Sequence, residues 1–172
     1  MAQFSIRLAT STDCEEIMRL IKELAEHDKM AHTVEIDAEV LRRDGFGDEK
    51  WFTCLVAEPV PAEKTESDTP KLIGHAFWFY TFRTEYGRSM YIEDLYVQEH
   101  YRRKGVGRAL WREAAKIGLG KGCRNIVWSC LSWNKLAICF YDRIGGNDVT
   151  VKEDWHTFRM DYAEMKKIAD EA

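Results

Sequence analysis

A glycine-rich turn lies within the sequence YRRKGVGRAL, residues 101–110, between an apolar stretch, MYIEDLYV, and an amphipathic one. The stretch before the turn has the composition of a β-strand, and the stretch after it repeats apolar side chains at helical spacing: Val106, Leu110, Ala114 and Ile117. Glycines let the backbone approach a ligand closely, and the free amides and dipole of a helix's first turn favour an anion. Four cations add positive charge: Arg102, Arg103, Lys104 and Arg108. The turn therefore predicts a phosphate-binding site, with an ordinary exposed loop as the alternative.

The overall charge of the chain argues against a nucleic acid or a membrane surface as its partner. The 172 residues carry a formal net charge of -4, whereas both of those partners favour basic proteins. A mildly acidic chain is better suited to a cationic substrate. The sequence contains no apolar run as long as the roughly 18 residues of a membrane helix and no basic-then-apolar leader. Its five cysteines are scattered without a CxxC pair, so we expect a cytoplasmic protein with free thiols.

The order of strand and helix patterns predicts the fold class. Alternation of apolar residues favours strands at 4–10, 51–58, 72–82, 89–97, 125–133 and 155–162, and helical spacing favours helices at 11–27, 37–44, from 107 onward and at 134–145. Thr12 and Glu15 form a predicted capping box for the first helix, and the proline-containing segment 59–71 is a predicted loop. We therefore expect an α/β (α+β) protein, with residues 1–172 forming a single domain around one mixed sheet.

Several other chemistries lack the residues that they require. A Walker loop ends in Gly-Lys-Ser/Thr, whereas this turn ends in Gly-Arg-Ala, and a dinucleotide fold would place its glycines after the first strand. The five histidines, His27, His32, His75, His100 and His156, show no paired spacing, so we expect no metal site and treat them as structural or solvent-exposed.

Four motifs in order, YIEDLYV, RRKGVG, WN and FYDRIG, resemble the GNAT acetyltransferase superfamily. The segments FSIRLATSTDCEEIMRLIKELAEHDKM, DGFGDEKWFTCLVAE and EDWHTF are similar to the spermidine/spermine and thialysine acetyltransferases of that superfamily. The resemblance implies an acetyl-CoA-dependent N-acetyltransferase with a splayed central sheet, usually a homodimer. It places the coenzyme pyrophosphate at the turn and the pantetheine arm along the preceding strand. The implied cofactor-binding residues are Leu95, Tyr96, Val97, Arg102, Arg103, Lys104, Gly105, Val106, Gly107, Arg108, Asn134, Tyr141 and Arg143.

The same resemblance implies two catalytic residues for a direct transfer. Glu93 would accept the proton of the attacking amine, directly or through water, and Tyr141 would protonate the departing thiolate. A carboxylate among apolar neighbours has a raised pKa, as a general base needs. From the residues alone, Glu93 is equally compatible with a solvent-facing strand residue, since it and Asp94 alternate between faces. Without the resemblance, Tyr141 would be interpreted as an aromatic residue of the core.

At positions that match the amine-binding residues of the family, the chain has His27, Asp28, Asp94, Val127, Trp128, Ser129, Glu153 and Trp155. Glu93, Arg83 and Glu85 complete the set of candidate amine-binding residues. Arg83 and Glu85 stand where the polyamine enzymes carry an acidic residue and a tryptophan. An arginine repels a polycation but can bind a carboxylate through a bidentate fork. We therefore expect a substrate with both a primary amine and a carboxylate, such as thialysine or a lysine-like amino acid. The alternatives are a polyamine substrate, a peptide lysine, or a coenzyme-A-binding sensor module without turnover.

Overall fold

The computed structural model describes residues 4–60, 71–154 and 156–170. These residues form two compact units, with the boundary between Leu131 and Ser132. Most of the predicted loop at 59–71 and the candidate residue Trp155 lie outside the described residues. No helix among the residues described is both long enough and apolar enough to cross a bilayer.

A five-stranded mixed sheet forms the centre of the first unit. Its strands are β1 (Phe4–Leu8), β2 (Thr53–Pro59), β3 (Gly74–Arg83), β4 (Gly87–Val97) and β5 (Ile126–Trp128), and they lie side by side in sequence order. The first four are antiparallel neighbours, whereas β5 runs parallel to β4. The parallel pair needs a crossover connection, which the helix after the glycine-rich turn supplies. The mixed sheet flanked by helices confirms the predicted fold class.

Helices cover both faces of this sheet. On one face, α1 (Cys14–His27) and α2 (Ala38–Phe46) bury apolar side chains against Val56 and Tyr96. On the other face, α3 (Val106–Gly120) buries Val106, Leu110 and Ala114 against a core that includes Trp78 and Ile92. The helical spacing read from the sequence after the glycine-rich turn is therefore confirmed. We refer to these two surfaces of the sheet as the α1 face and the α3 face.

The predicted capping box of Thr12 and Glu15 is wrong, because the chain first makes a short 3₁₀ turn at Ser11–Asp13. The reciprocal cap is formed instead by Thr10 and Asp13, whose carboxylate accepts hydrogen bonds from the Thr10 amide at 2.7 Å and hydroxyl at 2.9 Å. A tertiary contact selects this register, since Arg7 of β1 binds the same carboxylate at 2.7 Å. The second helix also runs through Gly45 to Phe46, slightly past its predicted end.

The described part of the second unit contains three helices: α4 (Lys135–Arg143), α5 (Thr150–Glu153) and α6 (Tyr162–Ala169). The first of them agrees with the predicted helix at 134–145. The predicted last strand at 155–162 is wrong, since residues 156–161 are irregular and α6 begins at Tyr162. A strand needs a neighbour for its backbone hydrogen bonds, and the described part of this unit contains no other strand that could pair with one.

An ion-pair network joins the first strand, the start of α1 and β2. The Arg7 guanidinium donates to Asp13 at 2.7 and 2.9 Å and to Glu58 at 2.5 Å. The hydrogen bonds from Arg7 are the largest cause that lowers the pKa of Asp13 to about 2. Because Asp13 is largely buried, its ionised form stabilises the folded chain more than an exposed surface pair would.

We expect Asp13→Asn to lower the free energy of unfolding at pH 7 by about 2 kcal/mol, which is the linkage equivalent of a pKa lowered from 3.8 to about 2. This stabilisation is complete above the unfolded pKa of 3.8 and is lost as the pH falls toward 2. Urea unfolding of the wild type, Asp13→Asn and the exposed control Asp48→Asn at pH 7 and pH 3 measures it. A difference between wild type and Asp13→Asn that does not shrink at pH 3 would contradict this account.

Candidate active site

A β-bulge in β4 places the candidate base. The antiparallel register between β3 and β4 shifts at this point: Trp78 lies opposite Ile92, whereas Phe77 lies opposite Asp94. Glu93 is therefore the extra residue, with no residue opposite it on β3. Bulges bend a strand and redirect its side chains, and they occur often beside active sites.

The bulge changes which residues of β4 face which side of the sheet. Before it, Met90 and Ile92 are buried in the core of the α3 face; after it, Leu95 and Val97 pack against that same core. The inward positions thus change from even to odd residue numbers across Glu93. Asp94, opposite Phe77, consequently lies on the α1 face together with Tyr96. The strict alternation that would place Glu93 and Asp94 on opposite faces does not hold through this bulge.

The sheet opens at the same place. The parallel pairing of β4 with β5 covers only Met90–Ile92, where Ile92 lies opposite Trp128 at the end of β5. From Glu93 to Val97 the outer edge of β4 has no strand partner in the described part of the chain, while its other edge pairs with β3. Backbone amides and carbonyls on an open edge are ready to bind an extended ligand. This edge includes three of the predicted cofactor-binding residues, Leu95, Tyr96 and Val97.

Two further carboxylates, Asp94 and Asp28, are coupled electrostatically to this part of β4: Asp94 affects the pKa of Glu93 and that of Asp28. The Glu93 side chain is exposed, yet partial desolvation and, secondly, the charge of Asp94 raise its pKa from the ordinary value. Desolvation also raises the pKa of Asp28, at the end of α1; His27 opposes that shift and Asp94 adds to it. The Oδ1 atom of Asp28 is buried and accepts no hydrogen bond from the described residues. The structure therefore brings three predicted site residues, Asp28, Glu93 and Asp94, into one acidic region that suits a cationic group.

His75, which the sequence predicts to be structural or solvent-exposed, adjoins this acidic region. It is completely buried on β3, and its Nε2 atom lies 3.8 Å from Oδ2 of Asp94. Residue spacing gave no sign of this contact, because His75 and Asp94 come together only through the pairing of β3 with β4. A histidine inside an otherwise apolar strand, GHAFWFYTF, was the available signal.

A short 3₁₀ turn, Glu99–Tyr101, joins β4 to the glycine-rich turn, whose backbone has the geometry that its sequence predicts. Gly105 precedes α3 with a φ of 89°, in the left-handed region that favours glycine. The amides of the first turn of α3 have no acceptor within the helix. Arg102 ties the turn to β4, since its Nε donates to the Val97 carbonyl at 2.9 Å and its guanidinium lies 5.7 Å from the centre of the Tyr96 ring. A candidate anion site, formed by these free amides, therefore follows the open strand edge in the chain.

The remaining cations of the turn are distributed around it. Arg103 has a positive φ of 60°, and the Lys104 ammonium lies 5.3 Å from the centre of the Tyr101 ring. The exposed Arg108 lies on α3, beside a depression that Phe4 and Ile6 also line. Val106 and Gly107 begin α3. All of the residues that the sequence predicts to bind the pyrophosphate therefore lie on one short segment of chain.

Arg83 and Glu85 occupy the far end of the β3–β4 hairpin. They pair with each other at 3.8 Å, and both side chains are about half exposed. Arg83 lies opposite Gly87, and the six residues from Gly87 to Glu93 span about 20 Å along a strand. The structure does not bring Arg83 and Glu85 to the bulge of their own chain.

The candidate residues of β5 lie beside the stretch of β4 that precedes the bulge. Val127 is the register partner of Tyr91, and the Ser129 hydroxyl lies 2.9 Å from the Tyr91 hydroxyl. The Trp128 ring meets Trp111 edge to face, with ring centres 4.7 Å apart. These contacts hold the end of β5, where the sheet opens.

The other candidates belong to the second unit. The Asn134 side chain caps α4 by accepting the Ala137 amide at 3.1 Å. Tyr141 and Arg143 lie on the same helix, and the Tyr141 ring contacts Phe140 edge to face. Glu153 ends α5 and is exposed.

Comparison with known proteins gives a consistent result. Residues 16–146 match the model of the acetyltransferase (GNAT) family. The chain is 41% identical over 169 residues to the thialysine N-epsilon-acetyltransferase of Mus musculus, covering 98% of this chain and 99% of that protein. It is 35% identical to spermidine/spermine N(1)-acetyltransferase-like protein 1 of Homo sapiens, covering 98% of this chain and 24% of that protein. An integron cassette protein from the mobile metagenome of V. cholerae shares the fold, with a TM-score of 0.73, 20% identity and 99% of each chain covered.

We expect Asp94→Asn to lower the pKa of both Glu93 and Asp28, because the Asp94 charge contributes to raising each of them. Both values should stay above the ordinary range, since desolvation is the larger cause and remains. Carboxyl ¹³C NMR titration of the wild type and of Asp94→Asn measures both pKa values. The control is Asp48→Asn, which should leave both titrations unchanged. An unchanged Glu93 titration in Asp94→Asn would show that the two carboxylates are not coupled.

Proposed function

The chain is an N-acetyltransferase of the GNAT family, and on that premise we propose that it transfers the acetyl group of acetyl-CoA to the terminal amine of a small lysine-like molecule, thialysine first among them. The observation that carries the proposal is the bulge at Glu93, where the sheet opens beside the glycine-rich turn. An open strand edge, a carboxylate with a raised pKa and the start of α3, with its free backbone amides, lie on one continuous segment. The relative that is named for thialysine supports the choice of substrate.

The turn and the open edge fit coenzyme A. The free amides of α3 at Val106, Gly107 and Arg108 would bind the pyrophosphate, and Gly105 leaves open space, since nothing lies within 4 Å of the position of a Cβ atom there. The cations at Arg103, Lys104 and Arg108 would neutralise phosphate charge. The backbone of Leu95–Val97 would pair with the amide groups of the pantetheine arm. Asn134 and Arg143 are assigned to the same cofactor by their place in the family motif.

Two side chains and the backbone amides beside the bulge would carry the chemistry. The coenzyme supplies an activated acetyl thioester. Glu93 would take the ammonium proton, directly or through one water, and its raised pKa makes it a better base than an ordinary glutamate. The amides beside the bulge would polarise the thioester carbonyl. Tyr141, assigned by its motif FYDRIG, would protonate the leaving thiolate.

The acidic region would hold the amine before transfer. Asp28 and Asp94 supply negative charge, and the buried Oδ1 of Asp28 is an acceptor in need of a donor. An ammonium group offers three donors and would satisfy it. The other proposed amine contacts are His27, Val127, Trp128, Ser129, Glu153 and Trp155.

The carboxylate of such a substrate would need a cation, for which we propose Arg83. The span of about 20 Å between the hairpin end and Glu93 is longer than a lysine molecule, so one substrate cannot reach both residues of one chain. The role of Arg83, with Glu85 orienting it, therefore requires the hairpin of a second copy. A second copy would be present in a homodimer, which we propose as the assembly. We also propose that residues 1–172 form a single domain. The family match, residues 16–146, extends across the boundary between the two units.

We expect purified protein to release coenzyme A from acetyl-CoA with the highest kcat/KM for thialysine in a panel that also contains lysine, putrescine, spermidine, spermine and a histone-tail peptide. Arg83→Ala should raise KM for thialysine and leave KM for putrescine unchanged, because putrescine has no carboxylate. Arg124→Ala is the control for loss of an exposed arginine. A preference for spermidine would overturn the amino-acid substrate in favour of a polyamine. Acetyl-CoA binding without turnover of any amine would favour a sensor module.

We expect Glu93→Gln to lower kcat by about 10²- to 10⁴-fold, the usual contribution of a general base, with KM for acetyl-CoA unchanged. The matched control is Glu99→Gln, which removes an exposed carboxylate from the same segment of chain. A kcat within threefold of the wild type in Glu93→Gln would exclude Glu93 as the base.

A further inference from the structure

His75 is a buried polar side chain whose hydrogen bonds are unmade. It is 0% exposed, and neither imidazole nitrogen makes a hydrogen bond to the described residues. Buried polar groups are nearly always paired, because leaving one unpaired costs its full desolvation. A structural role in the core alone would be served better by an aromatic residue without nitrogens.

The neighbours of the His75 ring include two aromatic rings and the carboxylate of Asp94. The register neighbours of His75 are Val56 on β2 and Tyr96 on β4. Its ring centre lies 6.4 Å from that of Phe77 and 6.2 Å from that of Tyr96. Oδ2 of Asp94 lies 3.8 Å from Nε2, so a movement of roughly 0.8 Å would complete a hydrogen bond of ordinary length.

Asp94 lies among other ionisable groups, where a hydrogen-bond donor would fix its orientation. Through its charge it is coupled to Glu93, Asp28 and the buried thiol of Cys54, all of which it makes harder to ionise. A hydrogen bond from a fixed donor holds a carboxylate in one orientation. The Nε2–H tautomer of His75 is such a donor, attached to the rigid centre of the sheet.

We propose that His75 is a positioning residue: its Nε2–H donates to Asp94 and holds that carboxylate turned toward the ammonium group of the substrate. This inference rests on the proposed function, in which Asp94 binds the amine. It extends that function to a residue that touches neither substrate nor cofactor and sets amine affinity through Asp94.

Kinetics of two variants of the full chain test this role. His75→Phe fits among aromatic neighbours and removes the unpaired nitrogens, so its Tm should equal or exceed that of the wild type. Its KM for the amine should nevertheless rise about tenfold, with kcat and KM for acetyl-CoA within twofold. His75→Gln, whose amide can reach Asp94, should restore at least half of that loss on a logarithmic scale. An amine KM within twofold of the wild type in His75→Phe, or a His75→Gln variant no better than His75→Phe, would overturn the proposal.

A second measurement does not depend on turnover. The ¹⁵N spectrum of labelled imidazoles should show His75 as the Nε2–H tautomer, and its Nε2–H proton should shift in Asp94→Asn but not in the control Asp48→Asn. The Nδ1–H tautomer, or signals insensitive to Asp94→Asn, would refute the contact even in an active enzyme. If the wild type acetylated no amine of the panel, the proposed function would fail, while this spectrum would still decide whether His75 donates to Asp94.

Discussion

One extra residue in β4 determines the arrangement of the candidate site. Because Glu93 has no partner on β3, the strand changes the parity of its inward side chains between Ile92 and Leu95. The α3 face remains apolar on both sides of the bulge, and Asp94 is turned to the α1 face. At the same residue the pairing with β5 ends, so that the edge from Glu93 to Val97 is open. A regular strand would have placed Asp94 on the same face as Ile92, in the apolar core of the α3 face.

Negative and positive side chains are separated along the chain from the bulge to the glycine-rich turn. Carboxylates cluster around the bulge, where desolvation and, to a smaller extent, the charge of Asp94 raise the pKa of Glu93 and of Asp28. The cations stand beyond the end of the strand, where Arg102 fastens the turn to the Val97 carbonyl. This separation suits two substrates of opposite charge that must meet head to tail, an ammonium at the acidic end and a pyrophosphate at the basic end. A protein with a net charge of -4 can therefore carry a strongly basic turn without becoming a general anion binder.

Periodicity and turn chemistry predicted most of the first unit, because each is local. The spacing of Val106, Leu110 and Ala114 identified α3, and the glycines identified the turn before it. The bulge also left a local trace: Met90 and Ile92 followed by Leu95 and Val97 place apolar residues at even and then odd positions. Features that depend on tertiary contacts were not readable. Arg7 selects Asp13 as the cap residue, and strand pairing alone brings His75 to Asp94. The predicted strand at 155–162 was wrong because alternating apolar residues form a strand only where a partner strand is present.

We propose that the bulge frees the edge of β4 to bind the coenzyme. Backbone amide NMR during titration with coenzyme A tests this most directly. We expect large shifts and slower hydrogen exchange for the amides of Leu95, Tyr96 and Val97, together with those of the first turn of α3. The amides of Met90–Ile92, already covered by β5, should change little. Saturable binding of coenzyme A that leaves the amides of Leu95–Val97 unaltered would contradict it.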